Sequence, residues 1–293
     1  MKVLITGSKG QLGSELIKQI DEKKSPLGFI PEDFAGAEVV GVDIEELDIT
    51  DKHAVSDFIE KEGFDVIFNC AAFTNVDLCE TENSAAFSVN ADAPGYIAKA
   101  AKTVGAKLVH VSTDYVFSGD AKTPRLESDA TDPKTVYGRS KLEGERRVMQ
   151  ADETAVVVRT AWLYGLVGRN FVKTIMDLAK RDGLLTVVSD QLGSPTNAAD
   201  LSHHMLKLAV SGEKGIFHCT NKGICSWYDF AVEIVKTAGI KAAVKPCSTA
   251  EFPRPAPRPA YSALESERLS KAVGDEMRGW KTAIECYLSA LAG

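Results

Sequence analysis

Short β-branched runs alternate with amphipathic stretches along the first half of the chain. Val3–Thr6 has a strand pattern and runs into Gly7–Gly13, after which Ser14–Ile20 carries apolar residues at helical spacing. Val39–Val42 ends in Asp43, a short third strand is expected at Leu47–Thr50, and a helix from about Lys52 to Lys61. Val66–Phe68 leads into Asn69, a helical stretch covers Ala85–Thr103, and Leu108–Val111 leads into Ser112-Thr113-Asp114 as the fifth strand. A helix over about Val136–Met149 and a strand at Ala155–Val158 close the series. Continuous apolar strands suit a parallel sheet covered on both faces. Their alternation with helices predicts an α/β fold of the Rossmann type, a doubly wound parallel sheet of right-handed βαβ units.

After about Trp162 the rhythm loosens. Helices are expected over Asn170–Lys180, Ala198–Leu208 and Trp227–Thr237, and strands at Thr186–Val188 and Ile216–Cys219. The run Phe252-Pro-Arg-Pro-Ala-Pro-Arg-Pro259 excludes helix and central strand. Tyr261 and Leu264 just beyond it point to an ordered, packed segment rather than a linker. A smaller second lobe built mostly from the last third is expected.

Composition narrows the partners. The 293 residues are 44% hydrophobic and 26% charged, an ordinary globular balance that excludes a mainly disordered chain. A net charge of −7 argues against a general nucleic-acid or anionic-membrane surface. No apolar run approaches the ~20 residues that span a bilayer, and the N-terminus reaches glycine too soon for a secretory signal. The six cysteines form no CxxC pair and read as reduced thiols of a cytoplasmic protein.

Two constellations carry chemistry. Gly7-Ser-Lys-Gly10-Gln-Leu-Gly13 is GxxGxxG between a strand and a helix, the setting in which bare backbone and a helix N-terminus hold a pyrophosphate. Asp43, closing the second strand, suits both adenosine ribose hydroxyls and repels a 2′-phosphate, which favours NADH slightly over NADPH. Tyr137-Gly-Arg-Ser-Lys141 is YxxxK, whose i, i+4 spacing puts both side chains on one helix face. A phenol with an ordinary pKa near 10 needs help to move protons at neutral pH, and a lysine ammonium beside it supplies that help. Thr113 at a strand tip can hydrogen-bond a carbonyl oxygen while the phenol protonates it.

On these motifs, together with NCAAFTNVDLCE (69–80), VHVSTDYVFSG (110–119), VYGRSKLEGE (136–145), VRTAWLYG (158–165), DQLGSPT (190–196) and RPAPRPAYSAL (254–264), the chain resembles the extended short-chain dehydrogenase/reductases, specifically their sugar-nucleotide branch. The resemblance implies NAD(P)H-dependent reduction of the C4 ketone of dTDP-4-dehydro-L-rhamnose to dTDP-L-rhamnose. It implies an NAD(P)-binding domain over residues 1–162 and a mainly substrate-binding lobe over 163–293, with some segments returning to the sheet. Gly7, Gly10, Gln11, Leu12 and Gly13 are then cofactor-binding, as are Asp43 at the ribose and Asp48 and Ile49 at the adenine. Ala71, Ala72, Phe73 and Thr74 line the cofactor's middle. Tyr137 and Lys141 are acid and support, touching the cofactor as well, and Thr113 polarises the ketone. Thr74, Val76, Thr113, Asp114, Tyr115 and Trp162 meet the dTDP-sugar.

Some members of the family dimerise around a magnesium ion held by carboxylates. Ala199 stands in the place of one such acid, which argues against that metal bridge and leaves monomer and homodimer open. The rival readings are a nucleotide-sugar epimerase or dehydratase of the same family, and a non-catalytic cofactor-binding regulatory subunit. Residues 25–36 lengthen the loop before the second strand without a functional reading. His110 reads as a satisfied core histidine, His203-His204 as a poor metal pair, and Lys99, Lys102 and Lys107 as a solvated helix face.

Overall fold

A computed structural model of the chain describes residues 1–274 and 276–292. The first half comprises β1 (Lys2–Thr6), α1 (Gln11–Glu22), β2 (Glu38–Val42), α2 (Lys52–Glu62), β3 (Val66–Asn69), α3 (Ala93–Val104), β4 (Lys107–Thr113), α4 (Val136–Ala151) and β5 (Val156–Thr160). Then follow α5 (Phe171–Asp182), β6 (Leu184–Val188), α6 (Ala198–Val210), β7 (Gly215–His218), α7 (Trp227–Thr237), β8 (Ala243–Cys247) and α8 (Trp280–Ala292). Six strands form one parallel sheet in the order β7-β5-β4-β3-β1-β2. The strand order reverses between β1 and β3, where ligands bind in open α/β sheets.

The alternation of strand side chains builds a core on each face. Val3, Ile5, Phe68, Val109 and Val158 meet Leu12 and Leu16 of α1 and Leu201 and Met205 of α6. Leu4, Ile67, Leu108 and Val157 point the other way, onto Val55 and Ile59 of α2 and Ile97 and Ala101 of α3. This is the Rossmann-type doubly wound arrangement that the strand pattern predicts. In the second lobe β6 and β8 pair in parallel, and Tyr164, Ile175, Phe230, Ile234 and Ile284 pack together.

Two local expectations fail and a third is modified. Leu47–Thr50 is a turn, because the Asp48 carboxylate accepts from Thr50 N at 2.9 Å and Thr50 Oγ1 at 2.7 Å, and Asp51 then caps α2. Leu47 and Ile49 are buried all the same, so their apolar pattern reports packing rather than a strand. Thr113 therefore ends the fourth strand, not the fifth. The helix expected over Ala85–Thr103 is present but widens into a π-turn at Ser88–Asp92, ahead of Pro94 near the start of α3. The wide turn carries Asn90 inward, a common use of π-bulges at functional sites. Lys107 opens β4 and donates to Thr154 O at 2.7 Å and to Glu213 O at 2.5 Å, so it ties two loops instead of facing solvent.

The proline-rich run is packed only in its second half, Phe252–Pro255 being exposed. Ala256 is buried, its N–H donates to Asp77 Oδ1 at 3.1 Å, and Arg258 pairs with the same carboxylate at 2.9 Å. The 25–36 segment opens with a short hairpin and ends by sealing the sheet: Phe34 is fully buried against Phe68, with ring centroids 6.2 Å apart. Burial of one such ring contributes about 1.5–3 kcal/mol. No helix among the described residues is long and apolar enough to cross a membrane.

Candidate active site

A cavity of about 900 Å³ opens at the carboxyl ends of β1–β4 and is closed from the other side by the second lobe. It lies toward the upper end of the roughly 300–1,000 Å³ typical of ligand pockets. At one end the wall is glycine backbone. Gly7 has φ +65°, and a Cβ on it would lie 2.8 Å from Ala71 N. A Cβ on Gly13 would fall 2.3 Å from Gly7 O, so α1 approaches β1 this closely only without one. No side chain caps α1, which leaves its first amides and the positive end of its dipole facing the cavity. These features fit a dinucleotide pyrophosphate.

Asp43 lies beyond the glycines, its carboxylate accepting from Ile44 N at 3.0 Å and from Lys9 N at 3.3 Å. Glu46 accepts from Asp43 N at 2.9 Å. Lys9, the neighbouring cation, is held by Glu45 and Glu46, which push its pKa up.

The other end is made of side chains. Thr135 caps α4, accepting from Gly138 N at 3.0 Å, and Glu80 accepts from Val136 N at 2.8 Å. Two glycines let α4 press inward: a Cβ on Gly138 would stand 2.2 Å from Tyr115 O, and one on Gly144 2.1 Å from Asn90 O. Tyr137 and Lys141 thereby face the cavity together with Thr113. Burial pushes the Tyr137 phenol up, the Thr113 hydroxyl working against it through a side-chain hydrogen bond. The phenol is a proton donor at neutral pH. Lys141 is almost wholly buried and donates from Nζ to Val111 O at 2.7 Å. Burial brings its pKa down to about 8, with Glu145 opposing. The nearby Asp114 and Cys79 add to the upward push on the phenol.

Thr113 Oγ1 donates to Asp114 Oδ1 at 2.8 Å and accepts from Tyr115 N at 3.2 Å. Burial pushes the Asp114 carboxyl up to about 6, with Thr113 and Ser262 favouring its ionised form. Asp114 Oδ2 nevertheless closes no hydrogen bond of normal geometry among the described residues. The rings of Tyr115 and Tyr137 meet edge to face at 5.5 Å. Trp162 has φ +49°, an uncommon conformation for a bulky residue. It lies flat on Trp227 with centroids 3.5 Å apart and 6° between planes. A Cβ on Gly193 would strike the Trp162 ring at 2.6 Å.

Beneath the strand tips lies a buried network. Glu145 accepts from Ser112 Oγ at 2.5 Å and from Arg159 Nη2 at 2.7 Å, both members of the ion pair being 2% exposed. His110 pairs through Nδ1 with Asn69 at 3.1 Å, but its Nε2 has no partner among the described residues, so this core histidine is only half satisfied. Burial holds its pKa well below the ordinary value, leaving it neutral.

The cavity brings together Gly7, Gly10, Gln11, Leu12 and Gly13, then Asp43, Asp48, Ile49, Ala71, Ala72, Thr74 and Val76. Thr113, Asp114, Tyr115, Tyr137, Lys141 and Trp162 complete the expected set. Phe73 is the exception: it packs away from the cavity beside Cys79, Ala86 and Val136. Its backbone is clamped by Asn90, which accepts from Phe73 N at 2.8 Å and donates to Phe73 O at 3.0 Å. Sequence reasoning alone misses Asn90, Gly193 and Trp227. An Asn inside an apolar helical stretch just ahead of Pro94 is the one local signal among them. Among the described residues no group of three His, Cys, Asp or Glu is placed to hold a metal ion.

Comparison with known proteins agrees with this architecture. The chain is 41% identical to a Bacillus subtilis spore coat polysaccharide biosynthesis protein over 98% of this chain and 96% of that one. It is also 41% identical to a dTDP-4-dehydrorhamnose reductase of Mycolicibacterium smegmatis, over 100% and 86%. The crystal structure of a dTDP-4-dehydrorhamnose reductase from Clostridium acetobutylicum superposes with a TM-score of 0.94 at 46% identity, covering 100% of both chains. A Bacillus anthracis dTDP-4-dehydrorhamnose reductase in complex with NADP gives 0.90 at 38% identity, covering 99% of both. The model of the RmlD substrate binding domain matches residues 1–292, so the chain belongs to that family of Rossmann-type sugar-nucleotide enzymes.

Proposed function

We propose that the chain reduces the C4 ketone of dTDP-4-dehydro-L-rhamnose to dTDP-L-rhamnose with a reduced nicotinamide dinucleotide. The observation that carries this reading is a buried, protonated phenol beside a strand-tip hydroxyl in the same cavity as a glycine cradle. When bound, the reduced nicotinamide supplies the hydride. Tyr137 gives its phenolic proton to the ketone oxygen, and Thr113, turning its hydroxyl away from Asp114 Oδ1, donates a hydrogen bond to the same oxygen as charge develops there. Lys141, anchored on Val111 O, supports the ribose beside the phenol. Asp114, Tyr115 and Trp162, with Thr74 and Val76, hold the sugar nucleotide. General acid help of this kind is worth about 10²–10⁴-fold. Residues 1–162 hold the dinucleotide and the strand-tip contacts to the sugar nucleotide, and 163–293 mainly cover the sugar nucleotide, with α6 and β7 returning to the main sheet.

NADH is favoured over NADPH. Asp43, Glu45 and Glu46 cluster where a 2′-phosphate would sit, and Lys9 is already engaged by two of them. The NADP complex of the Bacillus anthracis relative is the counterweight. Following the absorbance of NADH and NADPH separately against dTDP-4-keto-6-deoxy sugars tests both statements. Net consumption of reduced cofactor with a dTDP-rhamnose product is expected. Product formation without net consumption would instead identify an epimerase or dehydratase, and no reaction would favour a regulatory subunit.

A further inference from the structure

We propose that Arg169, from the loop between β5 and α5, is the cation that clamps the pyrophosphate of the bound dinucleotide; the inference rests on the cofactor reading above. Arg169 is exposed, lines the cavity, and makes no hydrogen bond or ion pair among the described residues. Its position is fixed by its neighbours. Asn170 Nδ2 donates to Gln11 Oε1 at 3.1 Å and to Gly165 O at 2.8 Å, and Asn170 Oδ1 caps α5. A Cβ on Gly168 would lie 3.8 Å from Gln11 Cγ, and one on Gly165 3.2 Å from Gln11 Cβ. Gln11 is the first residue of α1. The loop that carries Arg169 is therefore laced to the uncapped helix end at which the glycine turn presents its amides.

Charge balance gives the guanidinium its task. The cavity wall carries the carboxylates Asp43, Asp48 and Asp114. Of its cations, Lys141 is anchored on Val111 O beside the phenol, at the tyrosine end, and Lys9 lies outside the wall, held by Glu45 and Glu46. The helix end supplies only about half a positive charge. A pyrophosphate arriving there with two negative charges meets one unengaged full cation, and a guanidinium matches phosphate oxygens bidentately. The second lobe then contributes directly to holding the dinucleotide.

Arg169→Ala and Arg169→Lys variants of the full chain, titrated calorimetrically with NADH, NADPH and dTDP, test this. Unchanged melting temperatures of the unliganded variants are expected, since Arg169 has no hydrogen bond or ion pair to lose among the described residues. The alanine variant should weaken NADH and NADPH alike by about ten-fold, lysine should recover part of the loss, and dTDP should bind as before. Equal dinucleotide affinity in wild type and variant overturns the proposal. So does a loss confined to NADPH, which would assign Arg169 to the 2′-phosphate, or a loss confined to dTDP, which would assign it to the substrate. Wild-type protein that binds neither dinucleotide would overturn the cofactor reading itself, a distinct result.

Discussion

From Gly7 to Gly13 the cavity wall is bare backbone shaped by missing Cβ atoms, whereas around Thr113 and Trp162 it is made of side chains arriving from separate segments. The glycine end is a contiguous piece of chain whose chemistry is fixed by hydrogen-bond donors that every peptide owns. The tyrosine end depends on burial: it moves Tyr137, Asp114 and Lys141 away from their ordinary ionisation, each in the direction that favours its neutral form. A binding surface can thus be written locally, while a reacting one requires the surrounding fold to exclude water.

Substitutions at the two ends should separate binding from turnover. Tyr137→Phe should lower turnover by about 10²–10⁴-fold and leave the NADH dissociation constant, read by fluorescence titration, unchanged; near-normal turnover would remove the phenol from the mechanism. Gly13→Ala should do the reverse, because its Cβ would fall 2.3 Å from Gly7 O. Forcing α1 away by overpacking costs roughly 1–3 kcal/mol, visible as weaker NADH binding; unaltered NADH affinity would show that the helix can shift freely.

Gly193→Ala sharpens the contrast within the tyrosine end, since its Cβ would meet the Trp162 ring at 2.6 Å. A rise of about ten-fold in KM for the sugar nucleotide is expected, again from overpacking, with NADH binding intact. A matching loss of NADH affinity would place Trp162 at the cofactor instead.

Two effects depend on pH. Lys141, brought down to about 8, is charged below that value and neutral above it in the unliganded protein. Dinucleotide affinity should fall as pH rises through about 8, and Lys141→Met should flatten that dependence; a slope surviving in the variant would exclude Lys141 as its source. Because the folded pKa lies below the unfolded one, the cost of burying the ammonium fades as pH climbs from about 8 toward 10.5, so stability rises with pH across that interval. Asp114 is the smallest case. Its folded carboxyl titrates near 6 against 3.8 unfolded, so its contribution to stability falls as pH rises across that window. Urea midpoints of Asp114→Asn should depend less on pH there than those of wild type, and parallel curves would refute the assignment.

The fold was legible where local pattern and tertiary demand coincide. Val3–Thr6 and Val66–Asn69 are buried on both sides, so an unbroken apolar run is their only stable form. Leu47–Thr50 misleads because its apolar residues pack without joining a ladder, Asp48 having offered the backbone a turn instead. Phe73 misleads differently: it sits between the cavity-lining Ala72 and Thr74, but its backbone is tied to Asn90 and its ring packs elsewhere, a choice made by the π-turn that delivers Asn90.

The chain by itself determined the alternating α/β order, the glycine turn with its acidic partner, and the helical pairing of Tyr137 with Lys141. These reside in short stretches, where spacing translates directly into geometry. Only the tertiary structure decided that Lys141 leans on Val111, that Trp227 backs Trp162, that Lys9 is spoken for, and that Asn170 ties the loop carrying Arg169 to the first turn of α1. Contacts between residues far apart in sequence, and the dielectric environment their packing creates, leave no periodic trace in the order of amino acids.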